Sequence, residues 1–167
     1  MTDSKNIVNL DLKKDQKILN FSDFQKQNIK FDMSVFRQHG INLCGISFDT
    51  MLESYVINSI ATRHDMDSLA STYLNLATTK FTDVAGKGAK KLTFNQIDLD
   101  QAAPYASEDA DITLKLHENL WSKIEDEHAL KSVFNKIELP LINVLSGIEC
   151  RGALIDSTLL FEQSAEL

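Results

Sequence analysis

At 167 residues the chain has room for one full domain, or for one domain and part of a second. Its hydrophobic content of 43% suits a globular protein, and no apolar run approaches the roughly 18 residues of a membrane span, so a helical membrane protein is excluded. A net charge of −7 argues against a general polyanion binder, although acidic ligands are what an enzyme gripping phosphates through divalent metals requires.

The opening residues, Met1-Thr2-Asp3-Ser4-Lys5-Asn6, lack the basic and apolar regions of a signal peptide, which predicts a cytoplasmic protein. Cys44 and Cys150 have no metal-ligand spacing and read as free thiols in a reducing compartment. Residues 1–22 are polar and weakly patterned; Ile7 to Leu12 is a candidate short strand, with apolar residues bracketing Asn9 and Asp11. From Asp32 the pattern sharpens. Met33, Val35 and Phe36 predict a short helix stopped at His39-Gly40, where Gly40 takes the left-handed position. Ile41 to Phe48 predicts a strand broken at Cys44-Gly45.

Asp49-Thr50-Met51-Leu52-Glu53 opens the next helix. Thr50 and Glu53 stand at capping-box spacing, Asp49 is an alternative cap, and Leu52, Val56, Ile57 and Ile60 are the expected buried stripe. A turn at Arg63-His64-Asp65-Met66 precedes a helix capped by Asp67 or Ser68 that carries Leu69, Tyr73, Leu74 and Leu76. His64, without ligand partners, reads as a hydrogen-bonding turn residue. Lys80, Lys87, Lys90 and Lys91 face one acid, Asp83, in a loop loosened by Gly86 and Gly88; this is a basic patch or simply a solvated loop. Leu92 to Ile97 leads into a long helix expected to start near Pro104 and to bury Leu114, Leu116, Leu120 and Trp121. Glu125 to His128 marks a boundary. Val133, Ile137, Leu141, Ile142, Leu145 and Ile148 then recur at helical spacing across Pro140, and a last helix begins near Ser157.

Two acidic motifs carry chemistry. In Tyr105-Ala106-Ser107-Glu108-Asp109 the phenol and carboxylate lie about 6 Å apart along one helix face. That pair can hold a metal ion and orient its water; acids early in a helix also simply complement its dipole. Asp32, in Gln27-Asn28-Ile29-Lys30-Phe31-Asp32, stands at a helix entrance, where it either caps the helix or points into a cleft.

Together these segments resemble the 3′–5′ exonuclease domain of bacterial DNA polymerase I, a family A polymerase. Asn28–Asp32 is similar to its NxxxD motif and Tyr105–Asp109 to its YxxxD motif, with Phe48–Tyr55, Arg63–Ala70 and Leu92–Gln96 matching in order between them. The resemblance covers about residues 27–125, and Ile137-Glu138-Leu139-Pro140-Leu141 resembles the start of the polymerase domain. It divides the chain into a poorly matched segment 1–22, a partial exonuclease domain 23–127 and the beginning of the polymerase domain 128–167. It implies an α/β, ribonuclease H-like fold truncated at its N-terminal strands, followed by polymerase-domain helices.

The implied activity is proofreading hydrolysis of a single-stranded or frayed DNA 3′ end with two divalent ions, Mg²⁺ or alternatively Mn²⁺ or Zn²⁺. Asp109 is then a ligand of the nucleophile-side metal, Tyr105 orients the attacking water, and Asp32 serves the leaving-group metal. Gln27, Asn28 and Arg63 approach the strand, and Phe81 meets its terminal base. The family's first motif, Asp-x-Glu, does not occur anywhere in the chain; Asp11-Leu12-Lys13 offers lysine in place of the second carboxylate. The resemblance therefore implies weak or absent hydrolysis, with a non-catalytic DNA-binding or interaction module as the alternative. Lost opening strands also predict an exposed sheet edge open to self-association.

Overall fold

The computed structural model describes residues 9–13, 16–60 and 63–166, with side chains from Lys26 onward. Three strands, β1 (Asn9–Lys13), β2 (Gln16–Lys26) and β3 (Ile41–Asp49), form one sheet in that order. β1 runs antiparallel to β2, pairing Asn9 with Asn20 and Lys13 with Gln16; β2 runs parallel to β3, pairing Lys17 with Ile41 and Lys26 with Asp49. Parallel neighbours need a crossover, and helix α1 (Ile29–Gln38) supplies it. β1 agrees with the expected early strand at Asn9–Leu12, while Ile7 and Val8 lie outside the described residues. β2 was not foreseen, because its polar residues blur the alternation on which a strand reading depends. β3 is not broken at Cys44-Gly45: Gly45 absorbs a φ of +79° and pairing resumes at Ile46, with register shifts between Asn20 and Phe24 and between Phe24 and Gln25 of β2.

The helices that follow are α2 (Thr50–Ile57), α3 (Met66–Leu69), which continues as a wider π turn through Leu74, and α4 (Phe81–Ala85). Next come α5 (Leu99–Trp121), α6 (His128–Val133), a second π turn (Phe134–Glu138), α7 (Leu139–Arg151) and α8 (Ser157–Glu166). α1 ends at His39, with Gly40 at φ +70° as expected. α5 starts five residues before Pro104. A proline is cheapest in the first turn, but here Asp98 begins the helix and Pro104 is carried inside it. Asp65 caps α3, its carboxylate accepting the Ser68 N–H at 2.9 Å, in place of the expected Asp67 or Ser68.

Three apolar clusters hold these elements. Ile29, Met33, Leu43 and Ile142 join α1, β3 and α7. Leu69, Ala70, Ile112, Leu116 and Leu120 join α3 to α5, and Ala85, Ile97 and Ala102 lie beneath α4. The face of α5 that buries Ile112, Leu116 and Leu120 leaves Leu114 half exposed, because 114 lies two residues, or about 200°, round the helix from 112. α2 departs furthest from expectation. Thr50, Glu53 and Ser54 are fully buried, whereas Ile60 lies beyond the helix and is 90% exposed. The apolar residues of α7 and the π turn before it also remain largely open: Ile142 is buried, but Ile137 of the turn and Val144 and Ile148 of α7 are each more than half exposed.

Candidate active site

Asp49 organises the site without belonging to it. Its carboxylate caps α2 by accepting the Met51 N–H at 2.9 Å, and it accepts the Ile29 N–H at 2.8 Å and the Asn28 N–H at 3.2 Å. One buried acid thereby satisfies the orphan donors of two helix starts, fixing α1 against the end of β3. Its burial raises its pKa, opposed by the N–H of Ile29, Met51, Asn28 and Leu52. With Asn28 in the left-handed conformation and contributing no side-chain cap, Asp32 is one turn inside α1. It is not the helix cap. Its Oδ2 faces the Lys26 ammonium at 3.5 Å across the β2–α1 corner. Burial raises the Asp32 pKa, and Lys26 pulls it back.

Asp109 stands on α5, where the charge of the same ammonium also acts on it. Burial raises its pKa first; Lys26 and a hydrogen bond from Tyr105 oppose that, while Glu108 and Asp67 add to it. The expected sharing of a face by Tyr105 and Asp109 is present. Tyr105 has its own pKa raised, by burial and then by the Asp109 charge, so the phenol holds its proton and donates it to the carboxylate. Lys26 of β2 pairs with Asp32 of α1, and its charge reaches the Tyr105–Asp109 cluster on α5. Such a cluster can present an oriented carboxylate and a phenolic donor to a water or to a phosphate oxygen.

A ring of aromatics borders it. Phe81 lies 6.0 Å from Tyr105, and Phe94 lies 6.3 Å from Tyr105 and 6.4 Å from Phe81, centroid to centroid. The Lys91 ammonium sits 4.9 Å from the Phe81 ring. A groove of about 780 Å³ is lined by Arg63, Asp67, Ser71, Asn75, Thr78 and Lys80, and by none of Asp32, Tyr105 or Asp109. The segment that walls it is pinned. Glu108 accepts the Thr79 N–H at 2.8 Å and its hydroxyl at 2.6 Å, and Asp67 accepts the Thr78 hydroxyl at 2.6 Å. The Thr79 contacts lower the Glu108 pKa.

The structure separates the remaining sequence candidates. Arg63 is exposed, its guanidinium 3.4 Å from Asp65 at the groove mouth. Gln27 is engaged internally: its amide donates to the His64 carbonyl at 2.8 Å and accepts the Thr50 hydroxyl. His64 is the hydrogen-bonding turn residue expected, with φ +55° and its Nδ1 2.9 Å from the Ser54 hydroxyl. Lys26, Asp67, Glu108 and Phe94 were missed as site residues. Glu108 carried a signal, since it adjoins Asp109; Lys26 carried none, because it meets Asp32 only across the corner from β2, a strand the sequence did not reveal, into α1. Both cysteines are free and exposed. No described helix is long and apolar enough to cross a membrane.

The family model for a 3′-5′ exonuclease matches residues 7–125. Among similar proteins, DNA polymerase I of Pseudomonas aeruginosa is 55% identical over 84% of this chain. DNA polymerase I of Rhizobium leguminosarum is 38% identical over 84% of the chain, and that of Chloroflexus aurantiacus is 39% identical over 81%. The chain spans between 14% and 16% of the length of these relatives.

Proposed function

Since the chain belongs to the 3′–5′ exonuclease family represented in bacterial DNA polymerase I, we propose that it binds the single-stranded or frayed 3′ end of DNA and retains an incomplete hydrolytic centre. What supports this reading is that Tyr105 and Asp109 share a face of α5 beside the Phe81–Phe94 aromatic pair, with Asp32 paired to Lys26 at the β2–α1 corner and a groove bordered by Arg63 and Lys80. Phe81 and Phe94 offer faces on which bases stack, and Lys91, Lys80 and Arg63 offer charge to the backbone. The bound strand runs from the aromatic pair past Asp109 into the groove. Gln27 acts by holding the Arg63 turn, through His64 and Thr50, and has little freedom to meet the strand itself. Asn28 lies at the corner between β2 and α1, beside the cluster.

Two divalent cations about 4 Å apart would supply stabilisation of the attacking and leaving oxygens of an in-line displacement. The residues present do not fit that pair. No group of three or more His, Cys, Asp or Glu side chains among the described residues converges on a metal position. Asp32 and Asp109 bring two negative charges, and the chain contains no Asp-x-Glu to bring more. Weak or absent hydrolysis follows, with Tyr105 and Asp109 left able to orient a water. Within this reading residues 23–127 are the partial exonuclease domain and 128–167 the beginning of the polymerase domain. Among the described residues β1 is an edge strand of the sheet, which favours self-association as a second property.

The test is digestion of 3′-ended single-stranded DNA with Mg²⁺ or Mn²⁺, using Asp109→Ala as control, alongside binding measured in EDTA. DNA binding whose affinity falls as salt rises, with slow or no digestion, supports the reading. Digestion as fast as that of a complete exonuclease domain would overturn the incomplete-centre proposal, and absent or salt-independent binding would overturn the DNA-binding one.

A further inference from the structure

Lys91 closes the loop that leaves α4. Its N–H donates to the Gly88 carbonyl at 3.1 Å, and the next N–H, of Leu92, donates to the Ala85 carbonyl at the end of α4 at 2.8 Å. The far end of the loop is thereby tied back to the helix that carries Phe81. The Lys91 side chain lies over that ring, its ammonium 4.9 Å from the centroid, in a cation–π contact. Lys87 and Lys90, exposed on the same loop, make no such contact among the described residues. Phe81 is itself held. It packs against the Ala85, Ile97 and Ala102 cluster and stands 6.4 Å from Phe94 and 6.0 Å from Tyr105, centroid to centroid. The aromatic edge therefore carries a seated cation beside a half-exposed ring, Phe94, on which a base can stack.

We infer that Lys91, seated on Phe81, takes the backbone phosphate of a nucleotide whose base stacks at the Phe81–Phe94 edge. The inference rests on the DNA-binding reading above and goes beyond it by singling out one lysine of the loop and giving it a fixed partner. Charge and order both support it. Asp109 and Glu108 stand on α5 close to Tyr105, and the charge of Asp67 also reaches that phenol. A phosphate arriving at the aromatic edge meets their negative field unless a cation stands there. Arg63 and Lys80 line the groove, whereas Lys91 is the cation on the rings. A lysine free in solvent loses rotamer freedom when it grips a phosphate; Lys91 has already given up part of that freedom to its ring contact. An ammonium binds phosphate as a point charge, so it needs no second donor beside it.

The probe is a 5′-labelled oligothymidylate bound to the full chain in EDTA and followed by fluorescence anisotropy over a series of salt concentrations. Lys91→Gln and Lys91→Met are each expected to weaken binding about five- to ten-fold at about 50 mM salt, and to lower the slope of log affinity against log salt by about 0.7, the share of one phosphate contact on a single strand. Lys91→Arg is expected to keep both. Lys87→Gln, which removes the same charge from the same loop, is expected to leave the slope as in the parent. In a Phe81→Leu background Lys91→Gln is expected to cost less, because the seat is gone. Parent-like affinity and slope in the neutral Lys91 variants would overturn the inference. So would an equal loss in Lys87→Gln, or an equal cost of Lys91→Gln with and without the Phe81 ring. Lys91 is exposed, so its replacement leaves the buried clusters untouched, and circular dichroism checks folding. A parent that binds no strand overturns the DNA-binding reading and this inference together. A parent that binds with salt dependence, matched by its Lys91 variants, overturns this inference alone.

Discussion

Replacing His117 with alanine probes the least expected part of the interior. Glu53, wholly buried on α2, has Oε1 2.7 Å from His117 Nδ1, while its Oε2 is buried with no hydrogen-bond partner. Burial raises the Glu53 pKa above its ordinary value; the His117 hydrogen bond and charge oppose that, and the Asp49 charge adds to it. The imidazole also lies 4.3 Å from the Phe48 ring and is stacked 6.0 Å from Trp121. His117→Ala removes the partner of a buried carboxylate and opens a void among aromatics, a change that costs about 3 kcal/mol. In a chain of this size that is a fall of roughly 6–12 °C in Tm.

The pH dependence follows from the direction of the shift. A carboxyl whose folded pKa is raised contributes stability that is complete below its unfolded value and is lost as pH rises through the folded value. Without His117 the folded pKa of Glu53 rises further, so the deficit of the variant is largest at neutral and alkaline pH and shrinks toward the unfolded value near 4.5. Thermal melts at about pH 5 and 7.5 measure this, and Glu53→Gln added to His117→Ala should recover part of the loss at the higher pH. A deficit below about 1 kcal/mol at neutral pH, or one of equal size at both pH values, would refute the assignment of the cost to an uncompensated buried carboxylate.

Leu120→Ala, in the fully buried cluster between α3 and α5, should cost about 2–5 kcal/mol in denaturant unfolding, since the packed helices cannot close the cavity. Glu108→Ala should release Thr79 and speed both proteolysis and amide exchange around residues 76–80 while the melting of α5 stays cooperative. Phe94→Ala should weaken single-stranded DNA binding by about 1–3 kcal/mol in fluorescence anisotropy, with little effect on folding because the ring is about half exposed.

The sequence by itself determined the family, the two acidic motifs and the outline of α1, β3, α2, α5 and α8, because those features are local. Tyr105 and Asp109 share a face through helical geometry alone, Gly40 follows the end of α1, and the α2 cap made by Asp49 reaches only to Met51 and Leu52. The tertiary structure decided what the local patterns could not carry. The corner from β2 into α1 sets Lys26 against Asp32, and the crossing of α2 and α5 brings Glu53 to His117, 64 positions apart. Burial turns that glutamate, which the spacing presents as a helix cap, into one half of an internal pair. Asp32 likewise reads as a cap only until Asp49 takes the N–H groups of the α1 entrance and leaves Asp32 facing an ammonium. Motif spacing fixes which residues share an element; which charge stands beside which depends on how the elements pack, because electrostatic and burial costs act across space and not along the chain.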